Sequence, residues 1–210
     1  MSYSQYTSLR IVRQQLGLEV KYQVLFPIVK PVALSPWLQE TLGIMLGRRI
    51  AYFSEKSRSE GIVFPVLVET QRRHEFAFSL YSGAFIEADK EKGLNGECDF
   101  VLSLGEQGIE LERPVFCIVE AKDNDIELGV PQCIAQMKGA QIFNGQDGNA
   151  LPVIFGAVTT GDTWLFLKLE KNTLYIDNQY YYLAKTEELL GVLEAITSVY
   201  LESAAAATVS

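Results

Sequence analysis

Three side chains carry the types and spacing for chemistry: Asp99, Glu120 and Lys122. Glu120 and Lys122 close the run Val115-Phe116-Cys117-Ile118-Val119-Glu120-Ala121-Lys122. Its leading residues are apolar and rich in β-branched types, the pattern of a strand buried on both faces. Alternation along a strand points Glu120 and Lys122 the same way. Burying charge is costly unless it is paired or bound, so packing alone gives no reason for this acid and amine. Upstream, Gly96-Glu97-Cys98-Asp99-Phe100-Val101-Leu102 reads as a shorter strand with Asp99 at its start. The polar stretch from Gly105 to Arg113 suits a loop between two antiparallel neighbours, and that hairpin would set Asp99 beside Glu120 and Lys122. Two carboxylates on adjacent strands form a hard-oxygen site suited to Mg²⁺ or Mn²⁺, with waters completing the shell. A lysine beside such a site can orient or deprotonate a bound water. The plainer alternative is an ion pair that caps a strand, since structural pairs also resemble sites.

The elements around these residues follow from the chain in order. Arg10 to Leu18 reads as a short helix, and Lys21 to Phe26 alternates like a strand until Pro27 and Pro31 break it. Ser35-Pro36 is a cap followed by proline at the first helical position, and apolar residues from Trp37 to Phe53 follow at helical spacing. The segment from Ser54 to Thr70 mixes strand-forming residues with a capped, charged opening, and Pro65 suits neither structure. From Glu75 to Ala88 the pattern is strand, bend at Gly83, strand. Beyond Lys122, a polar loop with Asp123 and Asp125 leads to a helix from about Gly129 to Phe143, ended by Asn144-Gly145. Gln132 and Gln136 lie four apart on that helix and so share one side of it. Pro152 to Thr160 reads as another buried strand, Gly161-Asp162 as a hairpin turn, and Thr163 to Leu169 and Thr173 to Ile176 as two more strands. Tyr180-Tyr181-Tyr182 is an aromatic cluster that could stack bases or serve an edge strand or dimer contact. Glu187 to Leu201 reads as a closing helix.

The set Asp…Glu-x-Lys, in the order helix, strands, Glu-x-Lys strand, helix, strand over roughly residues 54 to 160, resembles the PD-(D/E)XK nuclease superfamily. The stretches Gly93 to Phe100 and Gln132 to Met137 are similar to a bacterial branch of it. The first motif departs from the family form, with Cys98 where a proline usually precedes the aspartate. The resemblance implies an α/β (α+β) fold with a restriction-endonuclease-like core: a mixed central sheet flanked by helices. It also implies metal-dependent hydrolysis of DNA, with Asp99, Glu120 and the Ala121 carbonyl holding Mg²⁺ or Mn²⁺ and Lys122 acting on the water. The pattern Glu55…Arg58…Ile62…Pro65-Val66-Leu67 looks like the first core helix of type I restriction-subunit and Mrr-like relatives. By that likeness 54 to 70 is helical and Glu55 is an auxiliary acid aimed at the metal; otherwise Glu55 is a solvated acid favoured by the helix dipole. Relatives carry a glutamine on the helix after the Glu-x-Lys strand, which gives Gln136 and Gln132 roles near metal or DNA; otherwise both border an amphipathic face. Arg72, Arg73 and His74 could touch phosphates, or be plain solvated surface.

Composition sets the outer limits. The 210 residues suit one domain: an extension and packing helix over 1–53, a core over 54–202 and a small, polar, disordered tail over 203–210. With 48% apolar and 21% charged residues the chain should be globular. No apolar run is long enough for a membrane span and no secretory signal is visible, so a cytoplasmic protein without membrane contact is expected. Cys98, Cys117 and Cys133 show no zinc or disulfide spacing, and His74 is the lone histidine. Net charge is −8, which weighs against nucleic-acid binding and leaves open a catalytically silent member of the fold that binds nucleic acid or assembles with protein. A homodimer is compatible with the resemblance.

Overall fold

A computed structural model describes residues 2–146 and 148–208, with side chains as far as residue 202. Helix α1 (Leu9–Leu16) begins at Ser8, whose hydroxyl accepts from the Ile11 amide, and ends at Gly17 in the left-handed conformation. Strand β1 (Glu19–Gln23) follows. Helix α2 (Pro36–Gly47) opens on the Ser35 cap with proline in its first turn, as expected. It does not continue to Phe53. Gly47 weakens the last turn, Arg49 turns left-handed with φ 57°, and Ile50–Tyr52 forms a separate 3₁₀ turn. Phe53, 92% exposed, has no apolar surface to pack on, so its helical spacing carries no burial.

The ambiguous segment from Ser54 is helical throughout, but in three pieces: α3 (Glu55–Arg58), a π turn over Ser59–Val63, and α4 (Phe64–Arg73). Pro65 explains the middle piece. A proline inside an α-helix lacks its N–H and clashes with the carbonyl four residues back. Here the Phe64 amide reaches back five residues to the Ser59 carbonyl, and this wider turn admits the ring.

The remaining elements are β2 (Ser79–Asp89), β3 (Leu94–Ser103), β4 (Val115–Ala121), α5 (Ile126–Gln146), β5 (Val153–Thr159), β6 (Thr163–Glu170), β7 (Thr173–Tyr182) and α6 (Thr186–Thr208). Several differ from expectation in extent. β2 is one strand, with its bend at Gly83 made by a φ of 68°. Asp99 lies within β3 and not at its start. α5 begins a turn earlier than Gly129 and outlasts Asn144, whose buried amide both accepts from the Val115 N–H and donates to the Val115 carbonyl. β7 runs on through the tyrosines, so alternation splits the cluster: Tyr181 is buried while Tyr180 and Tyr182 are exposed. Of the tail 203–210, the backbone to Thr208 belongs to α6 and the last two residues lie outside the described residues.

The seven strands form one mixed sheet in the order β1-β7-β6-β5-β4-β3-β2. β1 runs parallel to β7 and β4 parallel to β5, while the other neighbours are antiparallel. Helices cover both faces. On one, Leu38 of α2, Val66 and Leu67 of α4 and Leu190 of α6 bury Phe116, Val119 and Trp164. On the other, Val12 of α1 and Ile134 and Met137 of α5 bury Ile118, Val158 and Leu165. β4 sits between β3 and β5 and is buried at every residue, which is why its sequence is a continuous apolar run rather than an alternating one. α5 makes the crossover between the parallel pair β4 and β5. No helix among the described residues is long and apolar enough to cross a membrane.

Candidate active site

The reactive side chains gather where β4 leaves the sheet. The ladder runs Phe100 opposite Val119 and Val101 opposite Ile118, so Asp99 and Glu120 are the next residues along. The Ala121 amide donates to Asp99 Oδ2 at 2.7 Å, which ties the β3 acid to the β4 backbone. One residue further, the Lys122 amide donates to the Thr159 carbonyl at 2.8 Å and holds Lys122 against β5.

Glu120 is 1% exposed and both its oxygens are engaged. Lys122 Nζ lies 2.5 Å from Oε1, and Gln136 Nε2 lies 2.7 Å from Oε2. Gln132 Oε1 stands 3.5 Å from the same Lys122 Nζ. One helical turn of α5 thus supplies two amides to the Glu-x-Lys pair, one to each partner. Gly129 is what lets α5 come so close, since a Cβ there would collide with Val158 and the Lys122 stem. Gln136 Oε1 is buried without a hydrogen-bond partner.

Electrostatics distinguish this corner from an ordinary buried ion pair. Burial and then the Asp99 charge push the Glu120 carboxyl up to about 7, against the pull of Lys122 and Gln136. Burial also raises Asp99, opposed by the Ala121 amide and Lys122 and assisted by Glu55 and Glu97. For Lys122, burial pulls down, but Glu120, Asp99 and Glu55 outweigh it and the ammonium is held above its ordinary value. One cation therefore serves an excess of acid.

Asp99 and Ala121 open onto a cleft of about 460 Å³. Its other walls include Glu55 and Lys56 of α3, Ser59 and Glu60 of the π turn, Phe64, and Gly83 and Glu97. Glu55 is the first residue of α3, set there by a capping box in which Ser54 and Ser57 bond each other's amides.

The structure thus brings together Asp99, Glu120, Ala121, Lys122, Gln132, Gln136 and Glu55. It does not bring Arg72 and Arg73 there. Both lie at the far end of α4 from Phe64, where Arg73 Nε bonds Glu194 of α6 at 2.7 Å and Arg72 lies over the Trp37 ring. His74 Nε2 is 2.7 Å from the same Glu194. These three groups tie helices to one another, with Arg72 and Arg73 still exposed at the surface. Sequence reasoning passed over Glu97, although strand alternation places it two residues before Asp99, and Arg58, one helical turn beyond Glu55. The three cysteines are buried free thiols, as expected.

The donor set admits a particular kind of ion. Among the described residues no three of His, Cys, Asp and Glu form a ready-made cage. Two carboxylates with water is nevertheless the arrangement Mg²⁺ favours, because it keeps much of its hydration. Each carboxylate oxygen engaged by Lys122 or Gln136 retains a further lone pair. The residues present fit a hydrated hard cation and not zinc or another thiolate-bound metal.

No protein-family model matches this chain, and no curated protein matches it.

Proposed function

We propose that the chain is a metal-dependent nuclease of the PD-(D/E)XK type that hydrolyses phosphodiester bonds in DNA, acting in the cytoplasm. The observation that carries this reading is the meeting of Asp99, Glu120, Lys122 and Gln136, contributed by β3, β4 and α5, at the edge of an open acidic cleft. A pair of buried acids sharing one lysine has little value for stability, because desolvation opposes it. Its placement at the carboxyl end of parallel strands is where open α/β sheets bind ligands.

Asp99 and Glu120, with the Ala121 carbonyl and Glu55 nearby, would hold Mg²⁺ or Mn²⁺, which when bound neutralises phosphate charge and acidifies a water. The protein's own groups do the rest. Gln136 and Lys122 fix Glu120 in one rotamer, and the Ala121 amide fixes Asp99. Lys122, kept protonated by its acidic neighbours, offers a positioned ammonium to charge that develops on phosphoryl oxygens. Gln132 steadies that ammonium from the helix side.

A second reading has its own support. Both Glu120 oxygens are already engaged, and among the described residues no three His, Cys, Asp or Glu side chains form a ready metal-binding group, which suits a silent module of the same fold that binds nucleic acid or assembles with protein, including a second copy. Calorimetric titration with Mn²⁺ separates the two. The nuclease reading expects saturable binding by the wild type that Asp99→Ala abolishes; no binding by the wild type sinks it.

A further inference from the structure

The cleft that would receive a phosphodiester is lined by Glu55, Glu60, Glu97 and Asp99 with Lys56 among its walls, and Arg58 and Asp123 stand beside it rather than in its lining. Lys122 is bonded to Glu120, and Lys56 lies 3.8 Å from Glu60. The guanidinium of Arg58 is placed differently. It stands three residues after Glu55 on α3 and so extends from the same side of that turn. Its Nη1 donates to both the backbone carbonyl and the carboxylate of Asp123, the residue after Lys122, with the carboxylate contact at 2.5 Å. Its Nε is buried and has no acceptor. The Arg58 side chain is 17% exposed while that of Asp123 is 52% exposed. The covered guanidinium is thus held by an acid that water already reaches.

A planar guanidinium with one satisfied corner and one unmet N–H suits a tetrahedral oxyanion, which can take two of its donors at once. We propose that Arg58 is the phosphate-binding residue of this site and that Asp123 holds it in reserve. An entering phosphodiester draws the guanidinium off Asp123 and takes its N–H groups with two non-bridging oxygens. The inference rests on the nuclease reading and deepens it. It adds a second group for the substrate phosphate beside Lys122 and makes the contact conditional on the substrate displacing an internal acid.

The two partners then have opposite effects, which a purely structural latch would not give. The test measures Mn²⁺-dependent cleavage of a labelled DNA duplex, and binding of the same duplex by fluorescence anisotropy in Ca²⁺, across a series of salt concentrations. Arg58→Ala should weaken binding and raise KM by about ten- to a hundredfold, and lower the salt dependence by about one phosphate contact. Arg58→Lys should keep the salt dependence while recovering only part of the affinity. Asp123→Ala should tighten binding severalfold, and the double variant should match Arg58→Ala. Melting curves report whether each variant is folded. Equal losses in Arg58→Ala and Asp123→Ala, or no change in either, overturn the assignment while leaving the nuclease reading intact. Absence of cleavage by the wild type overturns that reading and this assignment with it.

Discussion

Glu69 and Glu120 are both 1% exposed, yet they are buried to different ends. Glu69, on α4, accepts from the Ser35 amide at 3.1 Å and the Ser35 hydroxyl at 2.7 Å, and that hydroxyl in turn accepts from the Leu38 amide. Its oxygens finish the start of α2, and its partners are all neutral donors. Glu120 accepts from a lysine and an amide and stands beside a second acid, which helps push it up to about 7. One carboxylate closes a local hydrogen-bond account and the other leaves an electrostatic conflict open. Conflict retained inside a well-packed sheet marks a candidate site, while satisfied burial suits a scaffold.

The contrast is sharpest by substitution. Glu120→Gln should lower Mn²⁺-dependent DNA cleavage by about 10²–10⁴-fold and leave the melting temperature near that of the wild type, since the amide still reaches Lys122. Glu69→Ala should do the reverse: urea unfolding should show a loss of about 2–3 kcal/mol from unmet donors at a helix start, with cleavage by the folded protein unchanged. If Glu120→Gln unfolds the protein as Glu69→Ala does, both acids are scaffold and the distinction is lost.

Metal should act on one acid and not the other. Mn²⁺ at a hundredfold excess over its Kd should stabilise the wild type and Glu69→Ala by about 2.7 kcal/mol, read as a raised unfolding midpoint, and leave Asp99→Ala unmoved. Proton binding probes Glu120 through pH. The folded Glu120 carboxyl titrates near 7, above its ordinary 4.5, so the folded state binds that proton more tightly. This contribution is complete below the ordinary value and is lost as pH rises from about 4.5 through about 7. In chelator, wild-type stability should therefore fall across that window by at most about 1.4 kcal/mol per pH unit, and Glu120→Gln should flatten the slope.

Much of this arrangement was legible in the sequence because it is written locally. β4 up to Val119 and β5 up to Val158 are continuous apolar runs, the pattern of strands covered on both faces. Asp99 and Glu120 are one hairpin apart, so local pattern placed them beside Lys122, while Gln132 and Gln136 showed only a shared helix side and the family resemblance placed them near the acids. What escaped depends on partners far along the chain. Nothing near Arg72 and Arg73 announces Trp37 or Glu194, so basic residues that tie helices together looked like surface. The π turn at Ser59–Val63 answers the ring of Pro65, and a proline in an apolar segment reads first as a break. α2 ends before Phe53 because Arg49 turns left-handed after Gly47, which apolar spacing does not announce.

The central claim is that Lys122, held between Glu120 and Gln132, serves catalysis. The direct measurement is cleavage of a labelled DNA duplex by wild type and Lys122→Ala, purified in parallel and assayed with Mn²⁺ and with chelator. Metal-dependent cleavage by the wild type is expected, with none in chelator and a loss of at least about a hundredfold in Lys122→Ala with the fold retained. Equal cleavage by the two proteins, or none by either, would contradict it.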